Sequence, residues 1–274
     1  MKLELVQMAG RDGDTAYNLQ RTLDAIAACS SDTDIVVFPE SLITGFPNPQ
    51  NIARLAEPLA GPSLDAIQQA AREHDLAVVC GLTENDQGRY YNTSVLVTPD
   101  GIALSYRKTH LWVGEGEAVL PGDRFSTVEW RGVRIGLLIC YDCEFPETAR
   151  ALAELGAELL LITDGNMEPY GHVHRTAVAA RAQENQVFAV MVNRVGQGDH
   201  GLTFAGGSMV ANPFGRVLFE AGTEECRHGL CLDMTGIAAA RALYDYHTDR
   251  RLNLPGERIN HADGRRELLV PEGR

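Results

Sequence analysis

No apolar run in this sequence reaches the roughly 18 residues that a membrane-spanning helix needs. The N-terminal stretch MKLELVQMAGRDGD alternates and soon turns polar, so it lacks the apolar centre of a secretion signal. Positive charge is scarce. Twenty-four Lys and Arg stand against 37 Asp and Glu, a net charge of -13. Nucleic acids and anionic membrane surfaces attract basic patches, so both are disfavoured as partners. There is no internal repeat, no low-complexity segment and no linker. One large domain over residues 1–246 is therefore expected, followed by a charged extended tail, 247–274, that packs on a partner subunit or hangs free. The six cysteines, 29, 80, 140, 143, 226 and 231, lie in a chain without an export signal. Free thiols and a reducing, cytoplasmic setting are expected.

What is present is an alternation of strand and helix patterns. Lys2–Val6 and Asp34–Phe38 read as strands, and Asp14 or Thr15 can cap a helix running to about Ala28. Ser63 is placed to cap a helix over Leu64–His74, and Ala77–Leu82 reads as a buried strand. Pro99-Asp100-Gly101 and Arg131-Gly132 each join two strand-like runs into a hairpin. After a helix opening at Pro146, the spacing predicts a strand at Leu159–Thr163, a helix at Val173–Asn185 and a strand at Phe188–Asn193. A hairpin around Asn212–Gly215, a late strand at Gly229–Asp233 and a helix at Thr235–Tyr244 complete the pattern. Helices alternating with strands, interrupted by hairpins, point to an α/β fold with mixed sheets.

Three ionisable residues share one context. Glu40 follows DIVVFP, Lys108 follows ALSYR and Cys140 follows RIGLLI, each just past an apolar strand. If those strands are neighbours in one sheet, their ends meet. The chemistry needs these three types together. A thiol is only slightly ionised at neutral pH, a carboxylate in reach can take its proton, and a fixed ammonium can hold negative charge on an intermediate. The backbone N–H of Tyr141 is a second candidate donor to such an oxyanion.

FPES at Phe38–Ser41, YRKTHL at Tyr106–Leu111 and GLLICYD-x-x-FPE at Gly136–Glu147 together resemble the nitrilase superfamily of carbon–nitrogen hydrolases. The similarity runs from Lys2 to about Asp245. It implies a four-layer α-β-β-α sandwich with two mixed central sheets, assembled as a homodimer or larger homo-oligomer. The superfamily's Glu-Lys-Cys triad falls on Glu40, Lys108 and Cys140. Its second glutamate falls on Glu115, seven residues past the lysine, to orient Lys108 and the substrate; Glu117 reads as a surface residue. Tyr141 and Asn166 are the expected pocket residues, while Arg181, Glu184, Asn185 and Asn193 are expected to hold helix and strand together. Tyr141-Asp142, rather than Trp-Glu, follows the cysteine, as in the amidase and carbamoylase branches. The sequence is most similar to amidases of small carboxamides, the (R)-stereoselective amidases among them. A carbamoylase or a nitrilase is the alternative.

The implied reaction passes through a thioester on Cys140 and calls for no metal or organic cofactor. Substrate choice is expected to reside in loops 41–57, 113–122, 166–174 and 196–206. Cys140-Tyr-Asp-Cys143 is a C-x-x-C that suits a redox pair, or a zinc site together with Cys226 and Cys231. Neither explains Glu40 or Lys108. A catalytically dead binding protein would not need an intact triad. His172 and His174 form an H-x-H pair read as part of a loop, with His110 near Lys108.

Overall fold

A computed structural model describes residues 1–271. The chain opens with β1 (Lys2–Gln7), α1 (Thr15–Ala27) and β2 (Ile35–Val37). It continues through α2 (Ile52–Leu55) and α3 (Pro62–His74) into a meander of β3 (Ala77–Asp86), β4 (Arg89–Thr98) and β5 (Gly101–Arg107). A hairpin of β6 (Arg124–Trp130) and β7 (Val133–Ile139) follows, then α4 (Pro146–Glu154), β8 (Leu159–Asp164), α5 (Gly171–Asn185) and β9 (Phe188–Asn193). Two more hairpins pair β10 (Val195–Gln197) with β11 (Thr203–Ala205) and β12 (Met209–Ala211) with β13 (Val217–Glu220). The chain then forms β14 (Cys226–Cys231), α6 (Thr235–Leu243), α7 (Tyr246–Asp249), β15 (Glu257–Asn260) and β16 (Arg266–Leu269).

Two large mixed sheets result. The first has the order β14-β1-β2-β3-β4-β5, and the second β13-β12-β9-β8-β7-β6-β16-β15. In each, three parallel strands joined by crossover helices form the middle (β1, β2, β3; β7, β8, β9), and antiparallel strands extend the edges. The period-2 alternation of each strand decides which core a side chain joins. Ile35, Val37, Ala77, Val79 and Leu96 face the second sheet and pack with Ile135, Leu137, Leu161 and Val190. Val36, Val78, Val95 and Val97 point the other way, onto Ile26 of α1 and Leu64, Ile67 and Ala71 of α3. With α4 and α5 covering the second sheet, the layers are helix, sheet, sheet, helix, the architecture implied by the resemblance.

Several local expectations change. Pro62 starts α3, and the Ser63 hydroxyl donates to Glu57 at 2.7 Å instead of capping the helix. Asp14 does cap α1, accepting from the Tyr17 N–H. The late strand lies at Cys226–Cys231, because Gln7 to Lys2 of β1 offers it a full antiparallel ladder. β3 runs on to Asp86, since its ladder with β4 continues after the buried apolar stretch has ended. The 247–271 segment carries α7, β15 and β16, and β16 extends the second sheet beside β6 with Leu268 buried. Among the described residues, no helix is long and apolar enough to cross a membrane.

Candidate active site

Glu40 and Lys108 sit beyond the ends of β2 and β5, both in the first sheet but separated there by β3 and β4. Cys140 sits beyond β7, in the second sheet. The three do converge, but across the sandwich and not along one sheet, because β4 and β5 pack face to face on β7. Their side chains line one cleft of about 500 Å³.

The turn that carries Cys140 is tight. β7 ends at Ile139, and a 3₁₀ turn over Cys140–Glu144 follows at once. Cys140 has φ of +46°, in the left-handed region that a non-glycine residue enters only when its surroundings hold it there. Asp142 does much of that holding. Its carboxylate is fully buried and accepts from the Tyr106 hydroxyl (2.8 Å), the Thr109 hydroxyl (2.8 Å), the His110 N–H (2.9 Å) and the Ile139 N–H (3.3 Å). One side chain thereby ties the cysteine turn to the segment on both sides of Lys108. Arg181 of α5 braces the same turn, donating to the carbonyls of Cys143 (3.0 Å) and Glu144 (3.1 Å). Arg181 was expected to hold helix and strand together; its guanidinium instead buttresses the cysteine turn.

Lys108 Nζ lies 2.9 Å from Glu40 Oε1 and 2.7 Å from Glu115 Oε2. Asn92, which sequence analysis did not single out, joins these carboxylates: its side-chain amide donates to Glu40 at 2.8 Å and Glu115 at 3.1 Å. Its only sequence signal is an amide within a strand-like run, RYYNTSVLV. Glu40 is placed by a close approach of backbones. Its N–H donates to the Asp164 carbonyl, and Gly81 and Gly165 leave the room it occupies. A Cβ on Gly165 would stand 2.6 Å from Glu40 Oε2 and 2.6 Å from the Phe46 ring.

Burial sets the electrostatics. It pushes the Glu40 carboxyl above its ordinary range, and the charges of Glu115 and Asp164 add to this against the opposing pull of Lys108. Burial also raises the Cys140 thiol, with the neighbouring Glu40 charge, so the thiol rests protonated. Burial alone would lower Lys108; the facing Glu40 and Glu115 charges override it and keep the ammonium protonated. A protonated thiol, a carboxyl made more basic by its surroundings and a fixed cation form a set that can move one proton and hold one developing negative charge.

Glu115 is half-buried in a 3₁₀ turn and also accepts from the Trp112 N–H at 2.5 Å. Glu117 is exposed at the rim. Tyr141 lines the cleft, with its ring edge-on to Trp112 (5.1 Å) and Phe145 (4.9 Å). Asn166 lines it too, with its amide nitrogen donating to the Tyr170 carbonyl at 3.0 Å. Asn193 in turn holds the Asn166 carbonyl at 3.1 Å. Phe46, Tyr170, Leu202 and Phe204 make much of the remaining wall apolar.

The loop reading of the histidine pair is corrected. Both residues lie in α5, which begins at Gly171, where His172 is exposed and His174 is buried. The cysteines are all free, and Cys226 and Cys231 lie on β14 at the edge of the first sheet. Among the described residues, the one group of three potential metal donors is Cys140, Asp164 and His174, so the four-cysteine zinc arrangement is not formed.

The model of the carbon-nitrogen hydrolase family matches residues 2–231. The chain belongs to this family of hydrolases. It is 66% identical to an (R)-stereoselective amidase of Pseudomonas sp. over 270 residues, covering 98% of each chain. Among solved structures, a CN-hydrolase superfamily protein from Xanthomonas campestris with an arsenic adduct in its active site superposes with a TM-score of 0.87 at 26% identity, over 93% of this chain and 99% of that one. An amidase from Nesterenkonia sp. AN1 is also similar. Its Glu-to-Gln mutant, which carries the acetamide moiety of fluoroacetamide on the active-site cysteine, superposes with a TM-score of 0.80 at 30% identity, over 92% of this chain and 94% of that one.

Proposed function

We propose that the protein is an amidase that converts a small carboxamide to its carboxylic acid and ammonia through a thioester on Cys140. One observation carries the reading: a buried ammonium, Lys108, is clamped by Glu40 and Glu115 at the base of the cleft that Cys140 also lines. The near full-length likeness to an (R)-stereoselective amidase supports the substrate class.

Glu40 takes the thiol proton as sulfur attacks the amide carbon. The carbonyl oxygen gains charge and is held by Lys108 and the Tyr141 N–H. Glu40 then gives its proton to the leaving nitrogen, the C–N bond breaks and ammonia departs. Water, deprotonated by the same Glu40, attacks the thioester and frees the acid, and the proton returns to sulfur. Glu115 holds Lys108 beside Glu40 and steadies the bound amide. Tyr141 and Asn166 shape the wall beside the sulfur. The nucleophile, base and electrophile are all side chains of this chain.

Ammonia release from a panel of carboxamides, N-carbamoyl amino acids and nitriles tests the reading. Turnover of carboxamides, with none of the other two classes, is expected. Turnover of N-carbamoyl compounds or nitriles alone overturns it.

A further inference from the structure

A second buried charge cluster, unused by the chemistry above, borders the nucleophile. His174 projects from α5, with its Nδ1 3.0 Å from both carboxylate oxygens of Asp164 and its Nε2 3.2 Å from Glu144 Oε1. His174 and Asp164 are buried, and Glu144 lines the cleft. An Asp164 oxygen and a ring nitrogen of His174 both lie within 4.8 Å of the Cys140 sulfur.

With a carboxylate at each ring nitrogen, both nitrogens are placed to donate, which only the doubly protonated imidazolium does. The Asp164 charge outweighs burial and, with the contact to the Cys143 side chain, raises the ring well above its ordinary value. The charges around the sulfur then balance poorly without His174. Glu40 faces it from beyond β2, Lys108 from beyond β5, Glu115 from its 3₁₀ turn and Asp164 from the end of β8. Cys143 and Glu144 belong to the cysteine turn itself, and Arg181 is spent on that turn's carbonyls and on Glu184. Glu40 and Asp164 oppose a negative charge on this sulfur and Lys108 favours it, Glu115 and Glu144 line the same cleft, and His174 is the second cation beside the sulfur.

We propose that His174 is a positioning residue for charge: clamped between Asp164 and Glu144, its imidazolium cancels the Asp164 carboxylate and so permits Cys140 to ionise beside Glu40. A unit charge at such a distance in a partly buried site moves an ionisation by on the order of two pH units. Glutamine at 174 keeps a hydrogen-bonding group there but carries no charge. The inference rests on Cys140 being the reactive thiol and is independent of which amide is cleaved.

The test is iodoacetamide alkylation of the full chain, read on the Cys140 peptide by mass spectrometry as a function of pH. Sulfur and Glu40 titrate as a pair, so the midpoint describes the pair. His174→Gln raises that midpoint by about one to two units, and the double variant Asp164→Asn, His174→Gln, which removes both charges, returns it to within about half a unit of the parent. A His174→Gln profile superimposable on the parent's, or a double variant no closer to the parent than the single one, overturns the proposal. Nitrogen-15 shifts of the His174 ring in the unaltered protein give a second test. Two protonated nitrogens at neutral pH are expected, and a neutral ring contradicts the proposal. If Cys140 of the parent protein fails to label ahead of Cys29 and Cys80, the proposed function falls as well.

Discussion

The Lys108 ammonium stands 2.9 Å from a carboxylate oxygen of Glu40, and both side chains are almost wholly shielded from water. A buried ion pair is a poor source of stability, because the cost of desolvating two charges offsets most of their attraction. Removing one partner, however, strands the other. Lys108→Met is therefore expected to lower kcat by about 10³-fold or more, through loss of a preorganised oxyanion donor and displacement of Glu40. Ammonia release under saturating amide measures it. Retention of most of the parent kcat would remove Lys108 from the mechanism.

Glu40→Gln keeps the shape of the side chain and its contact with Asn92 but cannot accept the thiol proton. Turnover is expected to fall by about 10²–10⁴-fold. Steady-state rates, paired with alkylation of Cys140 across pH, check this. The variant should also lose the part of the alkylation profile that depends on the pair.

Gly165→Ala tests how closely the two sheets bring their loops together. The added methyl would stand 2.6 Å from Glu40 Oε2 and from the Phe46 ring. The expected result is a drop in kcat of about tenfold or more for a stability loss of about 1–3 kcal/mol, typical of overpacking. Urea denaturation beside kinetics separates the two effects, and unaltered kinetics would mean that Glu40 has more freedom than its surroundings suggest.

Much of this site was legible in the sequence, and the illegible part has a physical reason. Glu40, Lys108 and Cys140 each followed an apolar strand, a pattern that depends only on near neighbours along the chain. Their meeting was argued on the condition that their strands share one sheet; it occurs between two, because pairing order and sheet stacking are set by contacts distant in sequence. Asn92 and Asp142 were passed over for the same reason: each owes its importance to partners on other elements, Glu40 and Glu115 for one, Tyr106, Thr109 and His110 for the other. The histidine pair was read as loop, although the expected helix already began at Val173, since the polar GHVHR stretch hides the first turn of α5. The four loops expected to shape the cleft do line it, although one of them, 196–206, proves to carry the β10–β11 hairpin.

Asp142 offers a stability prediction. Asp142→Ala leaves several buried donors without an acceptor, at a cost of about 1–3 kcal/mol for each group so stranded. A total loss of about 3 kcal/mol or more is expected by urea denaturation, with a fall in kcat in whatever fraction stays folded. A loss under about 1 kcal/mol would show that water replaces the carboxylate freely.

His174 makes stability depend on pH in a definite direction. Its folded-state pKa is raised from 6.5 by Asp164 and Cys143 against the effect of burial. Its contribution is therefore complete below about 6.5 and declines as pH rises toward the folded value, by about 1.4 kcal/mol per pH unit for one proton. Thermal denaturation between neutral and mildly alkaline pH should show a falling Tm in the parent protein and a flatter course in His174→Gln. Parallel curves would assign the alkaline decline to other groups.

The central claim is that Cys140 carries the acyl group during turnover. Rapid quenching of the enzyme with a slowly hydrolysed carboxamide, followed by mass spectrometry of its peptides, tests this most directly. The account predicts an acyl mass increment on the Cys140 peptide that forms and decays with turnover, and no adduct and no ammonia release from Cys140→Ala. Undiminished ammonia release from Cys140→Ala, or an acyl group found on any other residue, would contradict it.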